Sequence, residues 1–148
     1  VEDGLVAFIK YAIVRDDAAQ DDFLKRLVDK VDPSRICSGI GEQPALIHMS
    51  KFRCSGYTSG CVCVNPGLSQ KMLAAIVSRD YDTAENIRKQ FLPLEDLRNG
   101  IHPIRVLHEA IALSDIAASG PHLPLLSGVA DSAQPRIKAA AEALKAIS

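Results

Sequence analysis

The chain has 148 residues, of which 47% are hydrophobic and 24% charged, and a formal net charge of −1. This is the composition of one globular domain of ordinary size, neither disordered nor fibrous. With so little net charge, no block of like charges, 5% aromatic residues and no Trp, the chain has neither the basic footprint of a nucleic-acid or anionic-membrane binder nor a base-stacking platform.

No apolar run approaches the roughly 20 residues that span a bilayer. The opening VEDGLVAF is acidic and lacks the basic n-region of a secretory signal. It also lacks an initiator Met and meets a strand within a few residues, as expected of a piece of a longer polypeptide. Four cysteines, Cys37, Cys54, Cys61 and Cys63, sit in a sequence with no other mark of a secreted scaffold. Cys61 and Cys63 form C-x-C without the second pair that a zinc site needs. Reduced, partly buried thiols in a cytoplasmic protein are expected.

Leu5 to Ile9 form an unbroken apolar run, which reads as a strand buried on both faces and closed by Lys10. DDAAQDDFLKRLVDKVD then carries Phe23, Leu24, Leu27, Val28 and Val31 at helical spacing, with aspartates early and basic residues late, as the macrodipole prefers. A short strand from Arg35 to Ser38 ends in glycines, and PALIHMSKF is a short helix opened by its proline. SGYTSGCVCVNP is a third strand, rich in small and β-branched residues, that runs into a loop. From Pro66 onward the chain turns helical. GLSQKMLAAIVSRD and YDTAENIRKQFLPLEDLRN are two amphipathic segments divided by an Arg-Asp turn, and HPIRVLHEAIALSDIAASG is a third, with Gly120 as C-cap. A Pro-rich connection leads to a last helix, DSAQPRIKAAAEALKAIS, with Pro135 near its first turn.

Strands separated by helices imply a parallel sheet with right-handed crossovers. Each strand ends in residues suited to a site: Lys10, then Gly39 to Glu42, then Tyr57 to Ser59. Ligands bind at the carboxyl ends of strands in parallel α/β folds, so the three groups are expected on one rim.

A strand ending in IK, one ending in SGIGE, and then GYTSGCVCVNP together resemble the dihydrodipicolinate synthase / N-acetylneuraminate lyase family. RDYDTAENIRKQFLPLEDLR and HPIRVLHEAIALSDIAASGPHLPLL resemble that family's carboxyl-terminal helices, so the resemblance runs over essentially the whole chain. Members are (β/α)8 barrels and class I aldolases that form a Schiff base between a strand-six lysine and a 2-keto acid. The resemblance implies an α/β fold comprising the carboxyl-terminal half of a TIM barrel, since a complete barrel needs about 250 residues. Residues 1–65 would hold strands six to eight with their intervening helices, and residues 66–148 the last barrel helix and a helical extension.

Lys10 aligns with the Schiff-base lysine. An amine attacks a carbonyl only when unprotonated, and an ordinary lysine titrates near about 10.4. Alternation puts Val6, Phe8 and Lys10 on one face, which the resemblance makes the barrel interior. Desolvation there would favour the free amine. Gly39 matches a glycine whose backbone approaches the keto acid closely, as only a residue without Cβ allows, and a plain turn glycine is the alternative reading. Thr58 and Ser59 fall at the strand-eight positions lining the same cavity. The synthases usually carry an aliphatic residue where Thr58 stands, and a hydroxyl there suggests a more polar substrate, such as a sugar-derived keto acid.

Glu42 departs from the family's commoner pair of aspartates and is expected to start the following helix rather than face the cavity. His48, His102, His108 and His122 lie away from the strand ends with no partner at metal-ligand spacing. They read as structural or surface residues, with no metal and no cofactor. Tyr11 is expected to point away from Lys10, while the facing of Tyr57 is open. The family's strand-four tyrosine and the hydroxyl-rich loop after strand two lie outside this chain.

The expected function is that of a lyase or dehydratase acting on a pyruvate-type 2-keto acid or a deoxy-keto sugar acid. Its expected partners are that substrate and, in the complete protein, further copies of itself, with neither nucleic acid nor membrane. The alternative is a family member that has lost its chemistry and serves in binding or assembly.

Overall fold

The computed structural model describes residues 3–122 and 124–148. Its three strands, β1 (Ile9–Tyr11), β2 (Ile36–Ser38) and β3 (Gly56–Tyr57), are all short. They pair in parallel in the order β1-β2-β3, with Lys10 opposite Cys37 and Cys37 opposite Gly56. The first strand is therefore smaller than its apolar run predicts. Leu5, Val6 and Phe8 are not buried on both faces but exposed, at 87%, 47% and 56%. The reason lies in the pairing. β2 is preceded by a 3-10 turn over Pro33–Arg35, which offers no ladder to the residues before Ile9; the Arg35 guanidinium bonds back instead, donating to the Ala7 carbonyl at 2.9 Å.

Helix α1 (Asp22–Val28) starts at Asp21, whose carboxylate accepts from the Leu24 N–H at 2.9 Å. Helix α2 (Glu42–Ser50) begins two residues before the proline expected to open it. Gly41 precedes it at φ +100°, a conformation suited to glycine. The loop into which the third strand runs forms a 3-10 turn over Cys61–Cys63, where the Ser59 hydroxyl accepts from the Val62 N–H at 3.2 Å.

Four further helices follow: α3 (Pro66–Ser78), α4 (Tyr81–Gly100), α5 (Pro103–Leu113) and α6 (Gln134–Lys145). Between α3 and α4 the Arg-Asp turn takes the expected form, with Arg79 at φ 64° and Asp80 capping α4 through the Thr83 N–H. Helix α5 stops at Ser114, so Gly120 does not cap it. The Ser114 hydroxyl turns back to the Ala110 carbonyl at 2.5 Å, and Asp115 adopts φ 54°. Pro135 lies in the first turn of α6, as predicted.

Three apolar clusters hold these elements together. Tyr11, Leu24, Ile36 and Phe52 pack α1 and α2 against the sheet. Leu46, Met72, Ile76 and Ala84 join α2, α3 and α4. The largest cluster, with Phe91, Leu94, Val106, Ile137 and Leu144, unites α4, α5 and α6. Helix α4 belongs to the last two and so ties α5 and α6 to α2 and α3. All four cysteines are free, Cys54 and Cys61 buried and Cys37 and Cys63 half-buried.

Candidate active site

The pairing aligns the strand ends as the sequence predicts. Lys10, Cys37 and Gly56 share one face by register, and alternation adds Gly39 and Thr58 to it. Tyr11, Ser38 and Tyr57 face the helices. Among these, the Tyr11 ring is buried, stacks on Phe23 and lies edge-on to His48, and its hydroxyl donates to Asp21. Burial, reinforced by the Asp21 carboxylate, pushes the Tyr11 hydroxyl up to about 12, so it stays protonated at neutral pH.

At Gly39 the backbone comes close to the Lys10 side chain. A Cβ built there would sit 2.7 Å from Lys10 Cγ and 2.9 Å from both Lys10 Cε and Ala12 Cβ. The lysine stem thus lies across the glycine and depends on its bareness. Lys10 is otherwise exposed, and the expected packing by Val6 and Phe8 is not supplied by the described residues.

The segment around Gly39 is stitched on both sides. Its N–H donates to the Tyr11 carbonyl at 2.7 Å, the Thr58 N–H to the Ser38 carbonyl at 2.8 Å, and the Gly41 N–H to the Thr58 carbonyl at 3.0 Å. Thr58 is exposed on the Lys10 face. Ser59 turns the other way, and its hydroxyl donates to Glu42 Oε2. Thr58 and Ser59 both border a cleft of about 300 Å³ with Tyr57, Val62 and Ser69, and Lys10 does not line that cleft.

Glu42 takes the helix role. It is the first residue of α2 and fully buried, and it accepts from Ser59 and, at 2.7 Å, from Ser69. Ser69 in turn meets the Tyr57 hydroxyl at 2.9 Å, which settles the facing of Tyr57. Burial pushes that hydroxyl up to about 12.

Sequence reasoning passed over Glu95. This fully buried side chain of α4 accepts from the Glu42 N–H at 3.1 Å and the Gln43 N–H at 2.6 Å, capping α2 from another helix. Burial pushes its carboxyl up to about 8 and the Glu42 charge adds to this, against the Gln43 and Glu42 N–H groups and Arg98. A signal was present: with Phe91 and Leu94, Glu95 falls at helical spacing on an otherwise apolar stripe.

The four histidines lie on helices, at a helix cap or in the connection after α5, not on the sheet. His48 is fully buried, with Nδ1 2.8 Å from the Ser38 hydroxyl, and burial holds it down at about 4, hence neutral at pH 7. His102 caps α5, and the His108 and His122 rings lie 3.7 Å apart. Among the described residues no cluster of three or more His, Cys, Asp or Glu side chains is arranged to hold a metal, and no helix is long and apolar enough to cross a membrane.

A short parallel sheet whose strands end on one rim, backed by helices and followed by further helices, is the arrangement that part of a (β/α)8 barrel presents, though not that fold alone. The chain has the fold of the carboxyl-terminal half of the dihydrodipicolinate synthase barrel. It is similar to a dihydrodipicolinate synthase from Agrobacterium tumefaciens at TM-score 0.75 and 22% identity, over 93% of this chain and 46% of that one. The enzyme from Bacillus clausii matches at TM-score 0.73 and 24% identity, over 90% and 45%. A putative dihydrodipicolinate synthetase from Pseudomonas aeruginosa matches at 0.71 and 18%, over 94% and 46%. The chain therefore spans a little under half the length of the structures it resembles. No protein-family model and no curated protein matches the sequence.

Proposed function

We propose that this chain supplies strands six to eight, the last barrel helix and the helical extension of a Schiff-base lyase, and that Lys10 is its imine-forming residue. The observation that carries this reading is the Lys10 stem lying across Gly39 at the carboxyl end of a parallel strand, in a fold shared with dihydrodipicolinate synthases. The free amine adds to the carbonyl of a 2-keto acid, water leaves, and an iminium forms. The iminium accepts the electron pair of a C–H bond at the adjacent carbon as that proton is removed. The resulting enamine expels the hydroxyl on the next carbon, which takes up a proton and leaves as water, and hydrolysis returns the lysine.

The desolvation that frees the amine would come from the strands that complete the barrel. Thr58, a hydroxyl on the Lys10 face, favours a polyhydroxylated keto acid over aspartate semialdehyde. The reaction is then a dehydration like that of 5-dehydro-4-deoxyglucarate dehydratase. In this reading Gly39 and Thr58 contact the substrate, while Ser59 acts through Glu42.

Incubating the full-length protein with pyruvate and borohydride is expected to add mass at Lys10 and at no other lysine. Lys10→Arg is expected to abolish the adduct, because a guanidinium keeps its proton. Labelling that persists in Lys10→Ala refutes the assignment. The exposure of Lys10 favours a second reading, a binding or assembly protein without chemistry, and a full-length protein that never labels at Lys10 supports it.

A further inference from the structure

Between α4 and the Lys10 rim lies a continuous line of contacts. Glu95 grips the first two N–H groups of α2, at 3.1 Å on Glu42 and 2.6 Å on Gln43. One turn along α4, Arg98 donates to the Ile40 carbonyl at 3.1 Å. A Cβ on Gly41 would sit 1.7 Å from Glu95 Oε1, so the carboxylate lies flush against the turn and any side chain there would expel it. The same turn carries Gly39, against which the Lys10 stem rests, and Gly41, which bonds to Thr58 on the third strand.

From this chain of contacts we infer that Glu95 is a positioning residue for Lys10: by holding the amino end of α2 it fixes the turn from Gly39 to Gly41, and through Gly39 the path of the lysine side chain. The inference rests on the reading of Lys10 as the imine-forming residue. A cap for α2 alone would need only a local Ser, Thr, Asp or Asn at position 41. Here that position is a glycine and the acceptor comes from 54 residues away, on a helix of the extension. The extension thereby has a role at the rim: it carries the carboxylate and the guanidinium that hold the turn from behind. Both N–H groups belong to a helix amino terminus and donate to the two oxygens of Glu95, so the geometry of the grip works against the burial and the Glu42 charge that raise this carboxyl.

The test uses the full-length protein and Glu95→Gln, which keeps the size of the side chain but turns one acceptor oxygen into a donor. The rate of borohydride-trapped pyruvate adduct at Lys10 is expected to fall about tenfold or more. Hydrogen exchange at the Glu42 and Gln43 amides is expected to accelerate by a similar factor, while the amides of α5 and α6 keep their protection. Asp82→Asn, at an exposed carboxylate in the first turn of α4, is expected to change neither.

A variant that labels at the wild-type rate overturns the positioning role and leaves the imine reading standing. If the wild type itself does not label at Lys10, the imine reading falls and the positioning role with it. Should Glu95→Gln lose its cooperative melt, Glu95→Asp, which keeps the carboxyl group and shortens its reach by one methylene, serves in the same two measurements.

Discussion

Gly39→Ala is the sharpest probe of the rim. The new Cβ would lie 2.7 Å from Lys10 Cγ, and 2.9 Å from Lys10 Cε and Ala12 Cβ. Carbon atoms rest at about 3.5–4.0 Å, so each approach is roughly 1 Å too close. Neither strand end can simply back away, because the Gly39 N–H is bonded to the Tyr11 carbonyl at 2.7 Å and Ala12 Cβ is fixed to its backbone. The lysine, exposed beyond its stem, is the part that yields. Overpacking of this kind costs about 1–3 kcal/mol, and the lower end is expected because Lys10 has open space to move into. The kinetic effect is larger, since a displacement of about 1 Å at a reacting group costs roughly 100-fold in rate. Trapping the pyruvate adduct in the full-length variant over a time course, with urea unfolding alongside, separates the two effects. The expected result is a rate down by about two orders of magnitude with stability lowered by about 1 kcal/mol. An unchanged trapping rate would refute the claim that the lysine path depends on the bare glycine.

The other predictions concern stability. His48, held down at about 4 by burial, takes up fewer protons in the folded than in the unfolded chain between that value and its ordinary 6.5. Stability is therefore expected to fall as the pH drops from 6.5 towards 4, by about 3 kcal/mol from this group, and His48→Gln should lack that slope in urea titrations; parallel curves for the two proteins would refute it. Phe91→Ala, at a fully buried position where α4, α5 and α6 meet, is expected to cost about 3–5 kcal/mol in denaturant unfolding. A polypeptide of these 148 residues alone is expected to self-associate in light scattering. Both outer strands leave backbone groups open, and Leu5, Val6 and Phe8 meet water. Burying such side chains is worth about 1.5–3 kcal/mol each. A monomer with a sharp two-state transition would contradict that expectation.

What the sequence determined by itself was the order of its elements and the opposite facing of Lys10 and Tyr11 on the first strand, because both follow from local patterns. Alternation puts Tyr11 opposite Lys10, and the structure buries it against Phe23 and His48. Helical spacing marks α3, α4 and α6, while Asn65 and Asp80 cap the first two. The run from Leu5 to Ile9 misled because burial belongs to neighbours, and β1 has a neighbour on one side only among the described residues. Only the tertiary structure decided that Ser59 turns to Glu42 while Thr58 stays on the Lys10 face, and that Gly39 makes room for a lysine stem. It also decided that the cap of α2 is Glu95 on α4, 54 residues away along the chain. Those facts depend on which helix lands on which strand end. A buried carboxylate finds its partners across that packing, and no spacing along the chain encodes them.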